Sequence, residues 1–362
     1  MSSAEETPQE VPKAILYSWK TSVWASVPLL CLHEKGYSED EYIVKQVDIT
    51  KGENFSPSYL KINANGTVPT LVVPTIETVG PETVSRYRSL RDTMTIAQFL
   101  DQARGANTAH TVSKLPAPAL GPATIEGKTT SDTLTSLVHL PTVDPNFLYL
   151  SARDAKELNE KANSAAGTFI SNRAEALKRY IAEAEQQLKQ KNSNFASHDH
   201  AQDGTNGNGA SSFEARTVQF LKEKKEANDT LHAIYTRQAG KEREQGFFEA
   251  SQKAWTQSLP DVLNRLEQEI KGPYALGDQV SLADLHIISW LARLVQIAGG
   301  DVSADAILKV EGMMGNGHHI GEKMKQFWAL WIQRESFRKV WVQLDPDFGD
   351  EDSQIQAWLN IQ

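Results

Sequence analysis

Three short stretches of this sequence hold side chains or backbone groups that chemistry can use. The first is Asn65-Gly66-Thr67-Val68-Pro69-Thr70-Leu71-Val72-Val73. Asn-Gly marks a tight turn, and the β-branched, apolar run behind it reads as a buried strand. Two readings fit Pro69: it heads an edge strand, since it has no N–H to donate, or it follows a cis peptide bond. A cis bond would turn the N–H and C=O of Val68 outward, ready to pair with another extended backbone such as a peptide-like ligand. The second stretch gathers the hydroxyls of Ser18, Thr21, Ser22 and Ser26 around the start of a helical run. A hydroxyl at that place either caps the helix or, with the amide dipoles, stabilises an anion. The third is Asp92-Thr93, which opens another helix. It is an ordinary N-cap pair, or else a carboxylate for an ammonium group beside a hydroxyl for a carboxylate. Arg88 and Arg91, just upstream, either hold ligand carboxylates or face water.

Other reactive residue types are placed less usefully. Cys31 is the single cysteine, so neither an internal disulfide nor a multi-cysteine metal site is expected. It sits in a helical run among apolar neighbours, where a thiol is inert core. His198 and His200 fall in a Gly/Asn-rich loop and His318-His319 in an irregular stretch, so no metal is expected either. A formal net charge of −9 with no purely basic cluster argues against a nucleic-acid surface. The longest apolar run, Leu285 to Ala298, is interrupted by His286 and Arg293 and is too short to span a bilayer. The first residues lack the basic-then-apolar pattern of a signal peptide, so a cytoplasmic location is expected.

At 362 residues the chain is long enough for two domains. Lys13–Tyr17 reads as a strand and Val23–Leu32 as a helix closed by Lys35-Gly36; Tyr42–Val47 reads as a second strand. A helical turn at Ser58–Ile62 leads to the Val-Pro strand. A long connection, Pro74–Leu90, then precedes a helix at Thr93–Gln102. Gly105–Val143, rich in Thr, Ala, Pro and Gly, reads as a linker with no clear period. Helical pattern fills Asn146–Gln190, stops at a loop over 191–212, and resumes from Phe213 to Ile270 with breaks at Gly240 and Gly246. Ser281 with Asp284 is a capping pair that opens a buried helix. Gly299–Gly321 reads as an irregular insertion. The aromatic stripe Phe327, Trp328, Trp331, Phe337 and Trp341 reads as core.

The N-terminal third resembles the thioredoxin-like domain of the glutathione S-transferase superfamily. The residues that carry this are Leu16-Tyr17 with Ser22, then Leu30 through Gly36, then Asn65-Gly66-Thr67-Val68-Pro69-Thr70-Leu71, and Asp92 through Asp101, in that order. The stretch around Ser281 and Asp284 is similar to the capping feature of the family's helical domain. Pattern alone marks a disordered leader over 1–11, an extension over 103–145 and an acidic tail over 346–362. The resemblance implies an α/β plus all-α fold, with a thioredoxin-like glutathione-binding domain over 12–102 and an all-helical domain over 146–345. It implies glutathione as co-substrate. Val68 would pair with the cysteinyl unit through its backbone and Pro69 would be a cis-proline. Asp92-Thr93 would stand where the family has a Glu-Ser pair for the γ-glutamyl end. Ser22, with Thr21 in reserve, would stabilise the thiolate as in serine-type, theta-like members. The partners implied are an electrophilic small molecule and a second copy of the chain; no motif fixes the electrophile's pocket, for which Trp19, Trp24 and Tyr149 are candidates by position only. The alternative is a non-catalytic interaction or regulatory module on the same fold.

Overall fold

A computed structural model of the chain describes residues 13–74, 87–105, 108, 112–198, 212–315 and 317–343. The expected leader, the acidic tail and residues 199–211 of the expected loop, with His200, lie outside these. The N-terminal elements are β1 (Ala14–Ser18), α1 (Val23–Glu34), β2 (Tyr42–Gln46), the short α2 (Pro57–Leu60), β3 (Thr70–Pro74), β4 (Tyr87–Leu90) and α3 (Thr93–Ala103). Helices follow: α4 (Ile125–Val138), α5 (Pro145–Leu150), α6 (Ala155–Ala162), α7 (Ala165–His198), α8 (Phe213–Tyr235) and α9 (Lys241–Lys253). The last are α10 (Leu259–Glu269), α11 (Leu282–Ile297), α12 (Leu308–Met314), α13 (Glu322–Trp331) and the single turn α14 (Glu335–Phe337). A small mixed sheet followed by helices is the α/β plus all-α class expected from the sequence. No helix among the described residues is long and apolar enough to cross a membrane.

The chain divides into two compact units. One holds the chain up to Gln46, then Val68–Pro145, then the chain from Thr256 onward; the other holds Val47–Thr67 and Asn146–Trp255. In the first unit the strands lie in the order β2-β1-β3-β4, with β1 parallel to β2 and β3 antiparallel to both of its neighbours. Leu16 pairs with Leu71 and Leu71 with Leu90, giving a buried leucine row across three strands. Helix α1 is apolar nearly all round because it packs on both α3 and α11. Its last turn holds a buried cation: Lys35 Nζ lies 2.8 Å from Asp101 Oδ1 and donates to the Pro118 carbonyl at 2.6 Å. Gly36 follows at φ +65°, where an added Cβ would come within 2.6 Å of the Pro116 carbonyl oxygen.

Four expectations need correction here. The stretch taken as a linker contains α4, capped by Thr124 Oγ1 accepting from the Gly127 N–H at 3.0 Å. Its six Thr/Ser residues and Gly127 weaken helix propensity, but Leu134, Leu137 and Val138 are buried and α4 packs on α10 and α11. The irregular insertion at 299–321 includes α12. In the second unit α7 runs to His198, so the first part of the expected loop is helical. Gly240, at φ +86°, does open α9 as a break, whereas Gly246 lies inside that helix.

Helix α11 is buried along its length. The Asp284 carboxylate organises its start, accepting from the N–H and Oγ of Ser281 at 2.8 and 2.6 Å and from the Ala275 N–H at 2.7 Å. The second unit is centred on the α7–α8 pair. Leu177 and Tyr180 of α7 pack with Val218 and Leu221 of α8 around Phe55 and Leu60. The Asn65-Gly66 turn belongs to this unit. Gly66 has φ +60°, its carbonyl accepts from Asn54 Nδ2 at 2.7 Å, and the Thr67 carbonyl accepts from Tyr59 Oη at 2.7 Å and Asn63 Nδ2 at 2.8 Å.

Candidate functional site

Strand register brings the three sequence stretches to one end of the sheet. β1 runs toward that end and β3 starts from it, with Tyr17 opposite Thr70. β4 runs back toward it, with Leu90 opposite Leu71, so Arg91, Asp92 and Thr93 emerge beside the start of β3. The order β1-β3-β4 therefore sets the Ser22 turn, Val68-Pro69 and Asp92-Thr93 side by side, about two strand spacings or roughly 10 Å across. An extended tripeptide is about as long.

The Val68–Pro69 peptide bond is cis. Val68 precedes β3, and neither its N–H nor its C=O takes part in a hydrogen bond among the described residues. Pro69 is buried. In the first turn Ser22 is the N-cap residue of α1, at φ −83° and ψ 117°, yet its side chain makes no capping bond. Its backbone is used fully: the N–H donates to the Trp19 carbonyl at 2.9 Å, and the carbonyl accepts from Ala25 and Ser26. Ser22 is half-buried. The Ser18 hydroxyl and the Trp19 indole N–H are buried without a hydrogen-bond partner. Buried orphan donors of this kind call for a partner from elsewhere.

Asp92 behaves differently. It is the N-cap of α3, and its Oδ1 accepts from both the N–H and the hydroxyl of Thr95 at 2.9 Å. The cap therefore occupies one oxygen of the exposed carboxylate and leaves Oδ2 outside that bond. Thr93 is buried at 9% exposure, while Arg88 and Arg91 are exposed. Cys31 has no exposure, donates to the Ala97 carbonyl at 3.6 Å, and its thiol is pushed up by burial. It is a core thiol, as its neighbours in sequence implied. Tyr149 lies in the second unit.

A histidine pair adjoins this end of the first unit. Trp24, on the first turn of α1, stacks on His139 with centroids 3.9 Å apart, and His139 Nε2 lies 2.9 Å from His286 Nδ1. Burial pushes His286 down to about 3. It also lowers His139, against the opposing pull of the Asp92 and Asp144 carboxylates. Both rings are therefore neutral at pH 7. Beside them a cavity of about 240 Å³ is lined by Met94, Gln98, Lys128, Thr135, Leu282 and His286. On α11, Ser289 Oγ is 2.7 Å from Ser26 Oγ, and Arg293 Nη2 donates to the Thr21 carbonyl.

Residues 16–108 match the family model for the glutathione S-transferase N-terminal domain, and residues 222–307 match that for its C-terminal domain. The chain belongs to the glutathione S-transferase superfamily. Among solved structures, the beta-etherase LigF of Sphingobium sp. strain SYK-6 is 15% identical with a TM-score of 0.51, the alignment covering 91% of this chain and 98% of that one. That likeness concerns the fold alone. Gtt2 from Saccharomyces cerevisiae aligns over 90% of this chain and 99% of its own at 13% identity and a TM-score of 0.46. A glutathione transferase family member from Pseudomonas fluorescens pf-5, solved with two glutathione bound, aligns over 92% and 94% at 12% identity and a TM-score of 0.45. No curated protein matches the chain.

Within this transferase-family chain, sequence reasoning missed the contributions of His139, His286, Ser289 and Arg293. His286 and Arg293 were read only as interruptions of an apolar run. The signal available was their spacing: positions 286, 289 and 293 fall on one helical face.

Proposed function

We propose that the protein binds glutathione at this end of the sheet and conjugates it to an electrophilic small molecule. The observation that carries the reading is the convergence of an uncommitted N-cap hydroxyl, Val68 backbone groups unpaired among the described residues and the Asp92-Thr93 helix start on one peptide-sized span. Val68 takes the cysteinyl unit as an added strand partner, and Asp92 with Thr93 takes the γ-glutamyl end. A free thiol titrates near 8.5, so lowering it by two units needs about 2.7 kcal/mol of preference for the thiolate. The Ser22 hydroxyl and the amides at the start of α1 supply that preference as donors to the sulfur. Ser22 is favoured over Thr21 because it holds the N-cap position. The sulfur lone pair then forms the C–S bond while the leaving group departs with the electrons of the broken bond. In an addition, a proton from solvent completes the product instead. A homodimer and a cytoplasmic site of action go with this reading, to be checked by sedimentation and by fractionation.

The test is conjugation of glutathione to an activated aryl halide by the wild-type chain and by Ser22→Ala. Turnover that depends on Ser22 supports the reading, and a wild type indistinguishable from the uncatalysed rate refutes it. One feature favours the second reading, a non-catalytic module: Asp92 Oδ1 is already engaged by Thr95. Glutathione binding without turnover would select that reading.

A further inference from the structure

Helix α11 is largely apolar, and His286, Ser289 and Arg293 form a polar stripe along one face of it, with His286 and Ser289 buried. Each member of the stripe is tied to α1 or to the turn before it. His286 reaches His139, which stacks on Trp24. Ser289 meets Ser26, and Arg293 donates to the Thr21 carbonyl. The last contact bears on Ser22. The Thr21 carbonyl and the Ser22 N–H are the two ends of one peptide group, and that N–H donates to the Trp19 carbonyl at 2.9 Å. A planar peptide held at both ends cannot swing about its flanking bonds. This fixes the direction in which Ser22 carries its Cβ and hydroxyl. Arg293 is itself braced: its guanidinium lies 5.4 Å from the Trp341 ring centroid and donates to Gln296 Oε1.

We infer that Arg293 is a positioning residue: it clamps the Thr21–Ser22 peptide so that the Ser22 hydroxyl stays off the helix cap and free to donate to a sulfur anion. Its guanidinium adds a fixed positive charge one peptide away from that hydroxyl, favouring an anion there. The other charged side chains that the register sets at this end of the sheet, Lys20, Lys45, Arg91 and Asp92, are exposed, so solvent screens them more strongly. The inference rests on the reading that Ser22 serves a glutathione thiolate.

Two measurements on the full chain separate the inference from that reading. The first is hydrogen exchange at the Ser22 amide without any ligand, in wild type, Arg293→Met, Arg293→Gln and Arg293→Lys. The second is the ultraviolet thiolate absorbance of bound glutathione as a function of pH. Arg293→Met is expected to speed Ser22 exchange at least about tenfold and to raise the thiolate midpoint by about one pH unit. Glutathione affinity at a pH below both midpoints, where the neutral thiol is bound, should change little. Arg293→Lys, which keeps the charge and a donor, should restore most of the midpoint, and Arg293→Gln should not. If Arg293→Met fails to fold, the Lys and Gln variants carry the comparison between charged and neutral donors. Unchanged exchange in folded Arg293→Met or Arg293→Gln overturns the clamp, and a midpoint equal to wild type in Arg293→Gln overturns the electrostatic role. A wild type that binds no glutathione refutes the transferase reading and the electrostatic role with it, while the exchange measurement still decides the clamp.

Discussion

Replacing Ser22 by alanine separates a cap from a catalytic donor. An N-cap serine that bonds the helix loses about 1 kcal/mol on truncation. Here the side chain makes no such bond, so the fold should lose no more than about 0.5 kcal/mol, the range of an uncommitted surface change. The effect on a bound thiolate is larger, because a hydrogen bond to a charged group contributes about 1.5–3 kcal/mol. At 1.36 kcal/mol per unit that raises the thiol by about one to two pH units. If the wild type holds the thiol near 6.5, its thiolate fraction at pH 6.5 falls from one half to between about a tenth and a hundredth. The rate falls by about 5- to 50-fold. Above about pH 9 the gap narrows, since both forms are ionised. The assay is the pH profile of kcat/KM for conjugation, read beside the urea midpoint. Thr21→Val should leave the profile in place. An unshifted profile in Ser22→Ala refutes the thiolate role, and a loss of about 1 kcal/mol or more in folding stability would show that the hydroxyl works as a cap.

The histidine pair makes acid stability informative. Burial depresses His286 to about 3 from an ordinary value of about 6.5, so the unfolded chain binds the extra proton between those values. Stability present at neutral pH is therefore lost as pH falls through that window, at up to about 1.4 kcal/mol per unit. His286→Gln should flatten the plot of unfolding free energy against pH there, and an unchanged slope would contradict the neutral buried pair. Gly321 offers a packing test. A Cβ there would lie 2.1 Å from Glu267 Cδ, and the Glu267 carboxylate accepts from the Lys323 and Met324 N–H groups at 3.1 and 3.0 Å, capping α13. Gly321→Ala should cost about 1–2 kcal/mol in urea unfolding. Adding it to Glu267→Ala should cost little more, since both remove one cap.

Much of the first hundred residues was legible because local chemistry and tertiary structure agree there. The strand around Leu16, the glycine stop at Gly36 and the Asp92 helix start follow from residue types whose preferences are strong. The Ser281–Asp284 pair likewise shows as a capping box around the start of α11. Helix α4 was not legible: its Thr-rich sequence is a poor helix former, and only packing of Leu134, Leu137 and Val138 makes it helical. His139 belongs to no motif, and its link to His286 spans 147 positions of chain. Arg293 was hidden for the same reason. Its partner, the Thr21 carbonyl, is backbone, and no residue type announces a backbone acceptor.

Calorimetric titration of glutathione into the wild type and Asp92→Asn tests the proposed site most directly. The asparagine keeps an oxygen to cap α3 but removes the charge, so helix loss cannot stand in for ligand loss. The account predicts millimolar or tighter binding by the wild type and at least about tenfold weaker binding by Asp92→Asn, with unfolding midpoints alike. No heat from the wild type, or equal affinity in both, would contradict it.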